Sequence, residues 1–248
     1  MKPQARKAGR PPKDVAHHLE RAHRILDAAT DLILRWGYDK TTIEDIARRA
    51  GVAKGTIYLH WRTREELFAA LLRRERVEML DEVRRRVEES PGTLRDLLGL
   101  LAFEIVNRPL VRAVLLGDSE VLGKLTRMKR DGAGIGLRDG FETYLGALLR
   151  HGALRTDLSP AEHVTALVSV LYGFLLVPQM MPEEYRPSNE RLVELLADAG
   201  SRTMETDGPM TAENARAIAR ATLDFVDFAV ERAQQKLRAS LGSEENVK

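Results

Sequence analysis

Apolar residues recur at spacings of three and four along nearly the whole chain from residue 17 onward. This spacing places them on one face of an α-helix. The first such run extends to Trp36 and is followed by Gly37, a residue suited to ending a helix. No internal repeat and no convincing strand pattern interrupts the spacing. The sequence therefore predicts an all-α fold.

Eight further helices are predicted between turn signals. The two shortest cover 43–50 and 54–61, and a long helix follows over 64–88. The other predicted helices cover 93–107, 109–129, 136–151, 160–178 and 211–239. The polar, proline-containing segment 179–209 is predicted to be a long loop with one or two helical turns.

Length and composition limit the class of protein. A chain of 248 residues can bury a sizeable core in one large domain or two modest ones. The absence of cysteine excludes disulfides, thiolate catalysis and any cysteine-based zinc site. No run approaches 18 apolar residues, and the basic N-terminus lacks the apolar stretch of a secretory signal. We expect a cytoplasmic protein with no membrane partner.

Charge is distributed unevenly along the chain. Residues 1–64 hold 14 Lys and Arg against 7 Asp and Glu, whereas the remainder holds 25 against 30. Such asymmetry indicates that the basic end meets a polyanion, although a chance cluster of solvated charge would look the same. Prolines and basic residues are concentrated in the first 13 residues, and we expect 1–16 to form a mobile basic arm.

The segment Thr41–Trp61 has the pattern of a helix-turn-helix. Ala47 is the small residue needed where two helices cross closely, and Gly51 can adopt the positive φ of a tight turn. Ile57 then points back from the second helix into the shared core. The alternative is an ordinary pair of antiparallel helices.

The wider stretch GYDKTTIEDIARRAGVAKGTIYLHWRTREELFAALL, residues 37–72, closely resembles the DNA-binding region of the TetR family of regulators. The matching pieces are the Gly-aromatic pair, Thr-Thr, Asp-Ile-Ala, Ala-Gly-Val, Lys-Gly-Thr-Ile-Tyr and Arg-Glu-Glu-Leu. The match covers under a quarter of the chain. Two residues depart from the pattern: Ala53 replaces a common serine, and Trp61 replaces a common phenylalanine.

The resemblance implies two domains and a regulatory function. A three-helix DNA-binding domain would cover 17–64, and a larger helical domain for effector binding and dimerisation would cover 65–248. Proteins of this family are most often repressors. We therefore expect a homodimer that binds a double-stranded DNA operator and is controlled by a small-molecule effector.

The resemblance also implies DNA-contacting residues, and local chemistry supports them. Thr42 begins a helix, where its amide and hydroxyl can bind a phosphate. Gly55 would let the backbone approach DNA, while Lys54 and Thr56 can reach base edges. The hydroxyl of Tyr58 suits a phosphate oxygen.

Three more candidates are predicted, and two of them, His60 and Arg10, have open alternatives. His60 is expected either to contact DNA or to be a packed or solvated imidazole. Arg64, at the start of the next helix, is expected to contact the DNA backbone. Arg10, within Gly9-Arg10-Pro11-Pro12-Lys13, partly resembles the minor-groove arginine of an AT-hook; otherwise the segment is a generic basic tail. Trp61 is expected to be a core residue.

Two segments are predicted to form the subunit interface. The stretch 163–178 is almost continuously apolar, and 215–230 has an amphipathic face. That face comprises Ile218, Thr222, Phe225, Val226 and Ala229. The alternative for 163–178 is a buried central helix. A two-fold dimer would match a palindromic operator with half-sites about 34–36 Å apart.

The effector pocket is expected between helices 93–151 and 160–178. Its candidate residues are the aromatic, amide and methionine side chains Phe103, Asn107, Met128, Tyr144 and Tyr172. The alternative places the aromatics in the core and Asn107 in a loop contact. Effector binding would move the 64–88 helix as a lever and separate the two DNA-binding helices.

No enzyme motif is found. The glycines at 132, 134 and 136 follow no strand and lack dinucleotide-binding spacing, and the six histidines lack metal-site spacing. We therefore predict no catalytic residue, cofactor or metal. Two other classes stay open: a sequence-tolerant architectural DNA-binding protein, and a helical enzyme or ligand carrier with a relict DNA-binding domain.

Overall fold

The computed structural model describes residues 13–90, 92–117 and 138–241. Within these ranges the chain forms ten α-helices and one short 3₁₀ turn, and the only β-pairing is an isolated bridge between Leu154 and Glu205. The helices are α1 Lys13–Trp36, α2 Ile43–Ala50, α3 Lys54–His60, α4 Arg64–Glu89, α5 Leu94–Asn107, α6 Pro109–Leu116, α7 Arg138–Arg150, α8 Pro160–Met180, α9 Asn189–Met204 and α10 Ala212–Ser240. The predicted all-α class is confirmed.

Local capping explains why most helices begin and end where the sequence predicts. The hydroxyls of Thr42, Thr63 and Ser159 each accept a hydrogen bond from the backbone amide three residues later. Gly37 and Gly51 end α1 and α2 with φ of 78° and 65°. These are the positive angles that the turn predictions required.

The structure corrects three predicted boundaries. Helix α1 begins at Lys13, so 13–16 lie in a helix and not in the basic arm. Helix α6 ends at Leu116 and not at residue 129, and Gly117, whose φ is 69°, caps it. Most of the predicted loop 179–209 is wrong, because 189–204 form the four-turn helix α9.

Helix α9 exists because a serine caps it and an apolar stripe buries it. Ser188 accepts a hydrogen bond from the amide of Arg191, and Leu192 and Leu196 are buried where α9 packs on α5. Prolines and polar residues occur on both sides of this helix. The sequence prediction extended their loop-like composition over the helix itself.

The described helices form an N-terminal domain (α1–α3) and a larger domain (α4–α10), and α4 is the helix of the larger domain that follows α3 directly. Helix α10 packs along α4 and α7, and α9 packs on α5 and α8. Arg74 of α4 is buried and reaches back to α1, where it donates to Asp27 Oδ1 at 2.5 Å and to Thr30 Oγ1 at 3.1 Å. These bonds fix α1 against the first half of α4.

Helix α8 leaves much of its apolar surface exposed. Among the described helices it is the one that is long and apolar enough to cross a membrane by length and composition, and 11% of the tested window is buried. Val168, Tyr172, Leu176 and Val177 are each 38–48% exposed. The alternative prediction of a buried central helix is therefore wrong within one subunit.

The other half of the predicted subunit interface is not available for a partner. The predicted face of α10 packs inside the subunit, where Ile218, Thr222, Val226 and Ala229 are buried. Phe225 stacks on Tyr144 with ring centroids 5.1 Å apart. The apolar stripe was predicted correctly, but it packs against α4 and α7.

Candidate nucleic-acid interface

A small apolar core sets the positions of α2 and α3. Ile43, Ile46 and Ala47 of α2 and Ile57 of α3 are all buried. The amide of Gly51 donates to the carbonyls of Ala47 and Arg48, which closes the turn between the helices. Because Ile57 is the one buried residue of α3, the rest of that helix is available at the surface.

The exposed face of α3 contains most of the predicted DNA contacts. Lys54, Gly55 and Tyr58 are exposed, and Thr56 is partly exposed. Leu59 was missed by the sequence analysis and is 78% exposed on the same short helix. An apolar side chain in a DNA groove can contact a thymine methyl group. The exposure of Leu59 could have been predicted from its position two residues after Ile57, which places it away from the buried side of α3.

Lys54 is paired within the domain. Its Nζ forms an ion pair with Glu44 of α2 and lies 6.0 Å from the centre of the Tyr58 ring. The hydrogen bond with Glu44 raises the pKa of Lys54 and lowers the pKa of Glu44. A phosphate or base acceptor must therefore displace the Glu44 carboxylate to bind this lysine.

Gly55 has no internal reason to be glycine. Its φ is not positive, and a Cβ added at this position would meet no atom of the described residues within 4 Å. The protein therefore has room for a side chain where the sequence has none. Close approach of another molecule to the α3 backbone would explain the glycine.

Thr42 lies at the exposed N-terminus of α2, and its hydroxyl is engaged locally. Its Oγ1 accepts from the Asp45 amide at 3.1 Å and donates to Asp45 Oδ2 at 2.5 Å. Arg48 pairs with the same carboxylate. The backbone amide of Thr42 is left as the group suited to the predicted phosphate contact.

His60 and Arg64 point into the domain. The His60 ring packs on His18 of α1 with centroids 4.0 Å apart, and neither ring nitrogen has a hydrogen-bond partner in the described part of the chain. Burial, followed by the nearby His18 and Arg21, lowers the pKa of His60 to about 4. The structure thus favours the packed-imidazole alternative for His60.

Arg64 stacks on an aromatic ring. Its guanidinium lies 4.0 Å from the centre of the Tyr38 ring and donates to the Tyr38 carbonyl. The Tyr38 hydroxyl in turn donates to Glu65 Oε1 at 3.2 Å, and burial raises the pKa of Tyr38 to about 12. This cluster fixes the start of α4 on the end of α1, so Arg64 has a structural role that sequence reasoning missed.

Comparison with known proteins identifies the N-terminal domain. Residues 25–71 match the family model for bacterial regulatory proteins of the tetR family. The chain therefore contains a DNA-binding domain of the TetR type. The matched residues include the whole helix-turn-helix and the Tyr38–Arg64 cluster.

Two curated relatives each match about a third of the chain. The fatty acid metabolism regulator protein of Bacillus subtilis is 31% identical over 78 residues, which are 32% of this chain and 40% of that protein. An HTH-type transcriptional repressor of Mycobacterium tuberculosis is 38% identical over 88 residues, which are 35% of this chain and 46% of that protein. These alignments span under half of each relative.

Solved TetR-family structures share the fold over most of the chain. A putative TetR-family regulator from a Rhodococcus species has a TM-score of 0.54 and 21% identity, covering 74% of this chain and 98% of its own. One from Mesorhizobium loti has a TM-score of 0.54 and 20% identity, covering 76% of this chain and 98% of its own. At these identities the likeness concerns the fold alone.

The predicted effector-pocket residues that the structure describes lie in three settings. Phe103 is on the surface of α5 beneath the Arg86 guanidinium, and Asn107 donates to the Phe103 carbonyl at 2.9 Å. Tyr144 is buried, with its hydroxyl 3.1 Å from Thr222 Oγ1. Tyr172 is on the exposed face of α8. Met128, like Arg10 of the basic arm, lies outside the described residues.

A cavity of about 340 Å³ lies elsewhere, between α5, α6, α8 and the start of α9. The described lining includes Arg112, Arg186, Gln179, Val106, Leu175 and Leu192, and Phe103, Asn107, Tyr144 and Tyr172 are not part of it. Arg186 is held by its Nε, which donates to the Met181 carbonyl at 2.9 Å. None of the described lining residues is a carboxylate, so the two guanidinium groups favour an anionic group inside the cavity.

Metal binding has no support in the described part of the chain. Within residues 13–90, 92–117 and 138–241, no group of three or more histidine, aspartate and glutamate side chains is placed to hold a metal ion.

Proposed function

We propose that this protein is a homodimeric transcriptional repressor that binds a palindromic operator and releases it when a small ligand binds the larger domain. The observation that carries the proposal is the exposed face of α3, with Lys54, Gly55, Thr56 and Tyr58 presented on a TetR-type helix-turn-helix. A relative that is 38% identical over 88 residues is itself named a transcriptional repressor. We also propose a cytoplasmic location, because the operator DNA of bacteria lies there.

A dimer would present two copies of α3 to one DNA face. Two recognition helices about 34–36 Å apart enter successive major grooves of one duplex. The exposed apolar side chains of α8 supply the kind of surface that a stable two-fold interface buries. The apolar face of α10 does not contribute to this interface, because it is buried within the subunit.

The cavity between α5, α6, α8 and α9 is the effector site that we propose. Its volume is within the range of small-ligand sites. Arg112 and Arg186 would bind an anionic group, while Val106, Leu175 and Leu192 would contact an apolar body. The fatty acid metabolism regulator of Bacillus subtilis, a relative over 32% of this chain, supports testing a carboxylate with a short alkyl chain.

Release requires the ligand to favour one arrangement of the two domains. A ligand changes DNA affinity only when it binds the released conformation more tightly than the DNA-bound one. Helix α4 is continuous from the larger domain to Arg64, and Arg74 fixes α1 on it. A rotation of α4 would therefore carry the N-terminal domain with it.

Selection from a random duplex library, using the purified chain near 0.15 M salt, tests the proposal. The expected result is enrichment of a palindrome bound by one dimer. Binding that falls steeply with salt and enriches no sequence would favour an architectural DNA-binding protein. Absence of binding, by protein refolded to remove any bound ligand, would favour a helical enzyme or carrier with a relict DNA-binding domain.

Single substitutions then assign the contacts. Tyr58→Phe should weaken binding to all duplexes to a similar degree, because a phosphate contact does not depend on sequence. Lys54→Ala and Thr56→Ala should relax sequence preference. Unchanged affinity of Tyr58→Phe would contradict its phosphate role.

Octanoate is the probe for the effector site, with octanol as the uncharged control. Octanoate should bind the chain in a calorimeter and release the selected duplex, and Arg112→Gln should weaken both effects. Equal binding of octanol, or unchanged octanoate binding by Arg112→Gln, would place the effector site elsewhere.

A further inference from the structure

Trp61 makes a contact across the two domains that its position in the sequence does not suggest. It follows α3 directly, and its amide closes that helix by donating to the Ile57 carbonyl at 2.9 Å. Its side chain is 3% exposed. The indole Nε1 donates a hydrogen bond of 3.0 Å to the backbone carbonyl of Ser240, at the C-terminal end of α10.

The bond satisfies a group that a helix cannot satisfy by itself. Ser240 is the last residue of α10, and the final carbonyls of an α-helix have no partner within the helix. Arg73 of α4 also donates to the Ser240 hydroxyl, and the adjacent Leu241 is buried. The end of α10 is therefore attached both to α4 and to the residue that ends α3.

Helix α10 connects this attachment to the interior of the larger domain. It contains 29 residues, which corresponds to roughly 43 Å. In the first half of α10, the Thr222 hydroxyl bonds to the Tyr144 hydroxyl of α7. Near the N-terminal end, Asn214 Oδ1 lies 3.2 Å from His151 Nδ1. A displacement of α7 relative to α4 would thus act on the end of α10 as well as on α4.

Phenylalanine, which is common at this position in the family that residues 37–72 resemble, has a ring of similar character but no N–H group. The tryptophan of this chain adds one donor, and that donor is used in a contact 179 residues away. The departure from the family pattern and the contact with α10 are therefore the same feature.

We propose that Trp61 is a positioning residue that docks α3 on the C-terminal end of α10, so that α10 gives the larger domain a second connection to the DNA-binding helix. The inference rests on the proposed function, because it assigns the connection to DNA binding. Its structural part is independent of DNA. With α4 and α10 both attached, α3 would be held at one spacing from its copy in the dimer.

The first experiment compares full-length Trp61→Phe with Trp36→Phe, which alters the exposed tryptophan at the end of α1. Both are measured on the selected palindrome and on versions with one base pair added or removed between half-sites. Trp61→Phe should reduce the preference for the best spacing by about fivefold, the factor to which one ordinary hydrogen bond corresponds. Trp36→Phe should keep the preference. Equal weakening on all three spacings would overturn the proposal and leave Trp61 a packing residue.

The second experiment needs no DNA. In the Trp36→Phe chain, Trp61 is the one remaining tryptophan, so its fluorescence reports on this contact. Leu241→Ala should loosen the end of α10, shift the emission to longer wavelength and increase quenching by acrylamide. Leu34→Ala, at an exposed leucine of α1, should change neither. Unchanged emission in Leu241→Ala would overturn the docking even if no duplex is bound, whereas shifted emission without duplex binding would contradict the proposed function alone.

Discussion

Helices α3 and α8 both leave apolar side chains exposed, but in different surroundings. Helix α3 buries Ile57 alone and exposes Leu59 beside Lys54 and Tyr58. Helix α8 exposes a run of apolar groups, including Leu176 and Val177, that has no charged group among them. A mixed polar surface suits DNA, whereas a continuous apolar surface suits another apolar surface. The two helices therefore call for different partners.

The largest expected effect is on stability, when the buried residue of α3 is truncated and compared with truncation of an exposed one. Ile57→Ala should lower the free energy of unfolding by about 2–5 kcal/mol, because it leaves a cavity in the core of the helix-turn-helix. Leu59→Ala should change it by less than about 0.5 kcal/mol, as is usual at an exposed site. Urea denaturation measures both. Similar losses would show that α3 is buried on two sides and cannot face DNA.

The next effect concerns α8 and the subunit interface. Val177→Asp should raise the dissociation constant of the dimer by about 100-fold or more, because burying an unpaired carboxylate costs several kcal/mol. Sedimentation over a concentration series measures the change. Leu34→Asp, at an equally exposed leucine of α1, is the control. A dimer that tolerates Val177→Asp would place the interface on another surface.

Gly55 tests whether another molecule approaches α3 closely. Gly55→Ala should leave the free energy of unfolding unchanged or raise it by up to about 1 kcal/mol, because the added methyl group has room and alanine favours helix. Affinity for the selected duplex should fall by about tenfold, as expected when a contact of about 1–3 kcal/mol is lost. Unchanged affinity, measured by fluorescence anisotropy, would mean that DNA does not reach this part of the backbone.

A smaller effect is expected from the Lys54–Glu44 ion pair. Glu44→Gln should raise duplex affinity about threefold, because Lys54 no longer has to leave a carboxylate and less negative charge faces the phosphates. The gain should shrink at high salt. Asp31→Gln, which removes the partner of Arg49 on the same domain, is the control for a general change of charge. Equal gains in both variants would assign the effect to net charge alone.

The last effect is the pH dependence of stability due to His60. Its pKa is about 4 in the folded protein against 6.5 ordinarily, so on acidification the unfolded chain binds the proton first. The contribution of His60 to stability is present above pH 6.5 and is lost as the pH falls from 6.5 towards 4. Urea denaturation at pH 7 and 5 should therefore show a smaller decrease for His60→Gln than for the wild type. His23→Gln, at an exposed histidine of α1, should decrease like the wild type.

The helices and turns of the N-terminal domain could be predicted almost completely, because they depend on residues that are close together in the sequence. The Thr42 cap, the turn at Gly51 and the burial of Ile57 depend on residues within one short segment. Even here, the side-chain partners of His60 and Arg64 were missed. His60 packs on His18 of α1, and Arg64 stacks on Tyr38, which follows α1.

Prediction was poorer in the larger domain, because the spacing of apolar residues does not identify the surface against which a helix face packs. The apolar stripe of α10 was assigned to a second subunit, yet it packs against α4 and α7. The effector pocket was predicted among aromatic, amide and methionine side chains and stays a prediction, whereas the described lining of the cavity between α5, α6, α8 and α9 includes arginines and aliphatic side chains. The packing of α10 and the lining of this cavity both depend on contacts between residues that are far apart in sequence.

The sequence by itself determined the all-α class, the helix-turn-helix and its family, because helix periodicity, caps and turn glycines act over a few residues. The tertiary structure alone decided that α8 is exposed, that Lys54 pairs with Glu44 and that Trp61 holds the end of α10. The physical reason is that such contacts depend on how whole helices pack. A side chain 179 residues away leaves no periodic signal in the sequence around its partner.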